Sequence, residues 1–193
     1  MKWGAAAVLA ALAAGVSCSG TSEHHAAWGL LVEQSTLGKT APKLTLESES
    51  DLLPTVIKTD WNGTNVQVPT IDWKDAPVVS RKSLRRLRVH ANSRSAPMTA
   101  RLKAFSQVDP TTGVPTSAPI LDIECPAKST ECDLVRAGTG YAVTFNTGEL
   151  RGAQYVVVSF RWGFQPKVEP GQTVSHVDNV WSVAVIARIA DRP

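Results

Sequence analysis

The residues able to do covalent or metal chemistry are few: three cysteines, four histidines, and serines and acids scattered along the chain. Cys125 and Cys132 close the segment CPAKSTEC, and three chemistries compete for them. A redox pair favours two intervening residues, and a zinc site wants further Cys or His at short spacing. A structural disulfide is the expected state, and a loop of this size would restrict the unfolded chain by about 2.5 kcal/mol. The histidines offer less. His24 and His25 are adjacent in a polar stretch, His90 sits in a basic run, and His176 with Asp178 in VSHVDN forms a strand-like i, i+2 pair that could orient an imidazole. No recognisable nucleophile motif accompanies that pair: the sequence has no Gly-x-Ser-x-Gly, no phosphate loop and no His-Glu-x-x-His. DPTTG offers one carboxylate where calcium loops carry several. The expectation is a protein that is not an enzyme and takes no metal or cofactor.

Binding chemistry is better represented. Residues 76–108 carry Arg81, Lys82, Arg85, Arg86, Arg88, Arg94, Arg101 and Lys103 with no acid at all. LRRLRVHA and MTARLKAF alternate within it, which puts Arg86, Arg88 and His90 on one face and Leu87, Val89 and Ala91 on the other, with Arg101 and Lys103 treated likewise. If residues 92–97 are a symmetric loop, Arg88 lies opposite Arg101 and Arg86 opposite Lys103. Like charges so placed cost a few tenths to about 1 kcal/mol per pair, so something must offset them. Either a neighbouring strand brings acids, with Glu47 and Glu49 or Asp122 and Glu124 as candidates, or an anionic partner does so. Arg86, Arg88, Arg101 and Lys103 are therefore the candidate face for an anionic envelope polymer, a lipid headgroup or an acidic protein. Nucleic acid is not expected, since no recognised nucleic-acid motif accompanies the charge.

A second binding chemistry is aromatic. DWNG and IDWKD place Trp61 and Trp73 beside acids, as sugar-stacking platforms would be. Asn62-Gly63, however, is a strong signal for a two-residue hairpin, because both central positions of its turn need positive φ. That register pairs Trp61 with Thr64, Thr59 with Val66 and Ile57 with Val68, and leaves the intervening positions polar. Trp61 then belongs to an apolar face that closes the end of a core.

The elements that must position these residues read as strands. YVVVSFRW sets Val156, Val158, Phe160 and Trp162 against Tyr155, Val157, Ser159 and Arg161. VWSVAVIARIA is apolar on both faces, as a central strand is. Further strands are expected at GLLVEQS, KLTLES, TVIKTDW, TNVQVPTI, LRRLRVHA, MTARLKAF, ILDIEC and YAVTFNT, separated by Asn-Gly, Asp-Pro and Pro-Gly turns. The pattern predicts an all-β, antiparallel β-sandwich of roughly 8–10 strands, immunoglobulin-like or jelly-roll-like. The stretch 22–34 could begin with a helical turn. No repeat divides the chain, and about 165 residues suit one compact core.

The N-terminus decides location. Lys2 precedes an apolar run over residues 3–16 that is too short to span a bilayer, as in a secretory leader. Gly15-Val16-Ser17-Cys18 resembles the lipobox of bacterial lipoproteins, with Gly15 where that family commonly has Leu or Val. The resemblance covers the leader only. It implies a signal peptide at 1–17, Cys18 acylated as the first mature residue, a polar tether at 18–27 and a single domain at 28–193. Ordinary cleavage between Ser17 and Ala27, with secretion, is the alternative. Loss of Lys2 leaves 19 basic against 17 acidic residues, so total charge says little about partners. The function expected is that of an extracytoplasmic, lipid-anchored binding module of the cell envelope, attached to the membrane through its N-terminal lipid. A carbohydrate-binding or accessory domain is the alternative, and a secreted hydrolase the more distant one.

Overall fold

The computed structural model describes residues 24–47, 54–67, 76–109, 114–126, 131–148, 150–165 and 180–190. Thirteen strands lie among them: β1 (His24–His25), β2 (Val32–Glu33), β3 (Leu44–Glu47), β4 (Thr55–Trp61), β5 (Thr64–Gln67), β6 (Val78–Ser80), β7 (Arg86–Ala91), β8 (Thr99–Phe105), β9 (Leu121–Cys125), β10 (Cys132–Ala137), β11 (Gly140–Asn146), β12 (Tyr155–Gln165) and β13 (Val180–Ala190). They form an all-β sandwich of two mostly antiparallel sheets. One runs β1-β10-β11-β7-β3; the other runs β5-β4-β13-β12-β8-β9, with β2 added in parallel to β12 and β6 in parallel to β13.

Alternation explains the layers. Val156, Val158, Phe160 and Trp162 on β12 are buried between the sheets, while Tyr155, Val157 and Ser159 are half-buried and Arg161 is exposed. From the smaller sheet, Leu46, Leu87, Val89, Val143 and Phe145 meet them. β13, apolar on both faces, lies between β12 and β4, the central place its composition calls for.

The Asn62-Gly63 hairpin has the expected register, with Trp61 opposite Thr64 and Thr59 opposite Val66. Asn62 and Gly63 take φ of 47° and 79°, the left-handed values that favour these two residue types. Trp61 is 2% exposed, donates from Nε1 to the Gly38 carbonyl at 3.2 Å, and packs edge-on against Trp162. Val66 is nevertheless 50% exposed, because β5 is the outermost strand of the larger sheet. The expected partner of Ile57, Val68, lies outside the described residues.

Two expectations are corrected. Residues 92–97 do not close a hairpin: β7 belongs to the smaller sheet and β8 to the larger, so the loop carries the chain across the sandwich. It is tied down by buried Ser93, whose Oγ donates to the Ser95 carbonyl at 2.8 Å, and by Trp162, whose Nε1 donates to that same carbonyl at 3.1 Å. The repulsive pairs Arg88–Arg101 and Arg86–Lys103 are thereby avoided. In the stretch 22–34 the described residues open with β1 and go on to β2 rather than a helical turn, and a 3-10 turn follows at Gln34–Leu37. β1 pairs with β10, and Ala26 N donates to the Leu134 carbonyl at 2.9 Å, so the sandwich takes in residues assigned to the tether.

Candidate functional site

The four basic residues do not share a face. Arg86 and Arg88 stand on the outer side of the smaller sheet, Arg101 and Lys103 on the outer side of the larger one. Each sheet brings acids to them. Antiparallel pairing of β3 with β7 sets Glu47 opposite Arg88, and Glu47 Oε2 lies 2.9 Å from Arg88 Nε in an ionic contact outside hydrogen-bond alignment. Pairing of β8 with β9 sets Asp122 opposite Lys103 and Glu124 opposite Arg101. Asp122 accepts two hydrogen bonds from Arg101, both at 2.6 Å, with Glu124 at 3.5 Å from Arg101 and Lys103 at 3.8 Å from Asp122. The Arg101 hydrogen bonds hold the Asp122 carboxyl below its ordinary range; desolvation opposes this, and the charges of Arg101 and Lys103 add to it. Arg101 is pushed up chiefly by the same hydrogen bonds. The repulsion expected between the two strands does not arise, and Glu47, Asp122 and Glu124 pair internally with Arg88, Arg101 and Lys103; Glu49 lies outside the described residues.

Strand order brings a different set together. On the outer face of the larger sheet, the pairings place Lys58, Ala184, Ser159, Arg101 and Glu124 in one row across β4, β13, β12, β8 and β9. The adjacent row is Asp60, Ser182, Arg161 and Thr99. In the first row small side chains on the two central strands lie between charged ones at the flanks, in the second Arg161 rises from central β12 beside Ser182, and the result is a shallow groove of about 460 Å³. Lys58 and Arg161 are exposed, and their charged groups have no ion-pair or hydrogen-bond partner among the described residues. Nothing marked Lys58, Ser159, Ser182 or Arg161 as a set in the sequence, though the alternation of YVVVSFRW does put Ser159 and Arg161 on the outward face.

No family model, curated protein or solved structure matches this chain. The functional reading therefore stands on its own residues.

A second concavity, about 660 Å³, opens where the Gln34–Leu37 turn meets the Asn62-Gly63 turn. Glu33, Gln34, Ser35, Lys39, Asn62 and Gln165 line it around Trp181. The side-chain amides of Gln34, Asn62 and Gln165 have no hydrogen-bond partner among the described residues. Trp181 belongs to an aromatic cluster, with Trp61 at 4.9 Å and Phe164 at 4.7 Å between ring centroids. Trp61 itself is core and offers no sugar platform; Trp73 lies outside the described residues.

The remaining candidates have structural places or fall outside the description. Cys125 and Cys132 form a disulfide with a Cα separation of 6.1 Å, and it joins β9 of the larger sheet to β10 of the smaller. His90 Nε2 lies 3.2 Å from the Ala137 carbonyl. Cys18, His176 and Asp178 lie outside the described residues. Among the described residues, no cluster of three or more His, Cys, Asp or Glu could hold a metal ion, and no helix is long and apolar enough to cross a membrane.

Proposed function

We propose that this protein is an exported, lipid-anchored β-sandwich that binds an extended acidic glycan of the cell envelope along the groove on its larger sheet. The carrying observation is the pair of rows in which Lys58 on the flanking β4 and Arg161 on the central β12, neither with an ion-pair or hydrogen-bond partner among the described residues, stand beside the small side chains of Ser159, Ser182 and Ala184. Cations without a partner among the described residues supply attraction for carboxylate or phosphate groups, and the small side chains beside them let a polymer approach the sheet. Ser159, Ser182, Thr99, Asp60 and Glu124 supply donors and acceptors for hydroxyl groups. Disulfide bonding and the lipobox-like leader agree with an oxidising location outside the cytoplasm.

The test compares the mature protein with a Lys58→Gln/Arg161→Gln variant for binding to its own purified envelope polymer, at low and at physiological salt. Arg86→Gln, on the opposite sheet, serves as control. The proposal expects binding that falls with salt, drops at least about tenfold in the double variant and is unchanged in the control. Equal binding by all three would refute it.

The concavity around Trp181 favours a second reading, a module for neutral carbohydrate. The amides of Gln34, Asn62 and Gln165, without a hydrogen-bond partner among the described residues, suit vicinal hydroxyls, while Trp181, 5% exposed, backs the concavity and is no stacking platform. Binding that ignores salt, competes with a free sugar and is lost in Gln34→Ala/Gln165→Ala would select that reading over the groove.

A further inference from the structure

Leu30 and Leu31 are 82% and 54% exposed, the former the most exposed large apolar side chain among the described residues. They are not on a loose tail. Trp28 packs partly buried against the core, Gly29 N donates to the Pro97 carbonyl at 2.8 Å, and Val32–Glu33 pairs with Phe164 and Gln165 of β12. Leu31 lies over Gly163, where an added Cβ would come within 2.6 Å of its Cδ2. The backbone on both sides is fixed, so Leu30 is held outward.

The position of this pair along the chain says what it meets. β1 fixes His24 against Arg136 of β10, and His24 is only six positions beyond Cys18. Fully extended, those six span at most about 20 Å. A lipid on Cys18 therefore holds the entry edge of the sandwich close to the bilayer, and the leucines stand six and seven residues further on, on the segment that carries the chain from that edge to β12. Exposed Arg94 lies on the loop to which Gly29 is bonded and suits the phosphate of a headgroup. We infer that Leu30 and Leu31 insert into the lipid surface beside the anchor, giving the protein a second membrane contact that fixes its orientation. The inference rests on the lipid-anchor reading of Cys18. It is independent of the groove.

The test uses the full chain, expressed with its leader, in four forms: wild type, Cys18→Ala, Cys18→Ala/Leu30→Ser/Leu31→Ser, and Cys18→Ala/Leu30→Trp. Cell fractionation of the wild type and Cys18→Ala forms tests the anchor. Flotation of the exported proteins with phosphatidylcholine vesicles tests the leucines. Weak vesicle binding by Cys18→Ala that falls about tenfold with both serines and rises with tryptophan is expected. Leu30 has little packing to lose, so the tryptophan form keeps the test valid if the serine form is unstable. Equal flotation of all three unlipidated forms, or none by any, would overturn the leucine contact. Wild type and Cys18→Ala fractionating alike would overturn the anchor instead.

Discussion

At the scale of residues, charge is managed locally. Arg101 with Asp122 is the strongest pair on the larger sheet, bidentate and supported by Lys103 and Glu124. Both side chains are about one-third or more exposed, so solvent screening limits the pair to roughly 0.5–1 kcal/mol. The sign of its pH dependence follows from the depressed carboxyl of Asp122. A group with a lowered folded pKa contributes stability that is present above its unfolded value and is lost as pH falls through the folded one. Arg101→Gln should therefore lower stability at pH 7, and the difference from wild type should shrink below pH ~4 and vanish once Asp122 is protonated. Urea unfolding of both proteins across that range checks it; a difference that persists undiminished at the acid end would show that the pair is not its source.

Alternation and turn chemistry made most of the elements legible. Each of the ten expected strands has a counterpart, most of them through period-two patterning, although GLLVEQS keeps only the two residues of β2 and β13 is apolar on both faces; the hairpin at Asn62-Gly63 has its expected register because only residues tolerant of positive φ fit that turn. β1, β6 and β10 were missed. β1 and β6 are two and three residues long, too short to carry a period. In β10, adjacent Leu134 and Val135 are both buried, which breaks the alternation that would mark a strand. Gly138-Thr139 between Ala137 and Gly140 was the available signal, a two-residue turn with Gly138 at φ 56°. Residues 92–97 were misread because alternation on both sides of a short polar loop looks the same whether the chain folds back or crosses to the other sheet. The disulfide acts at this same scale, joining the two sheets at β9 and β10. Cys125→Ala/Cys132→Ala should lower unfolding free energy by about 2.5 kcal/mol, read as a lower urea midpoint. No change on reduction would mean that packing between the sheets suffices without the bridge.

For the whole molecule, the candidate site became legible only with strand order. Arg161 and Ser159 face outward in any register of β12, but their neighbours depend on β8, β13 and β4 lying beside it, which no local pattern dictates. The basic run over 76–108, conspicuous in the sequence, is divided between the two sheets, and Arg88, Arg101 and Lys103 meet acids there. The groove thus rests on residues from five separate stretches of chain. Its most direct test is to titrate the mature, isotope-labelled protein with its purified acidic envelope glycan and follow backbone amide shifts. Binding in the groove predicts shifts concentrated at Lys58, Asp60, Thr99, Ser159, Arg161, Ser182 and Ala184, fading as salt is raised. Shifts confined to Gln34, Lys39, Asn62 and Gln165, or to the outer face of the smaller sheet, would contradict the account.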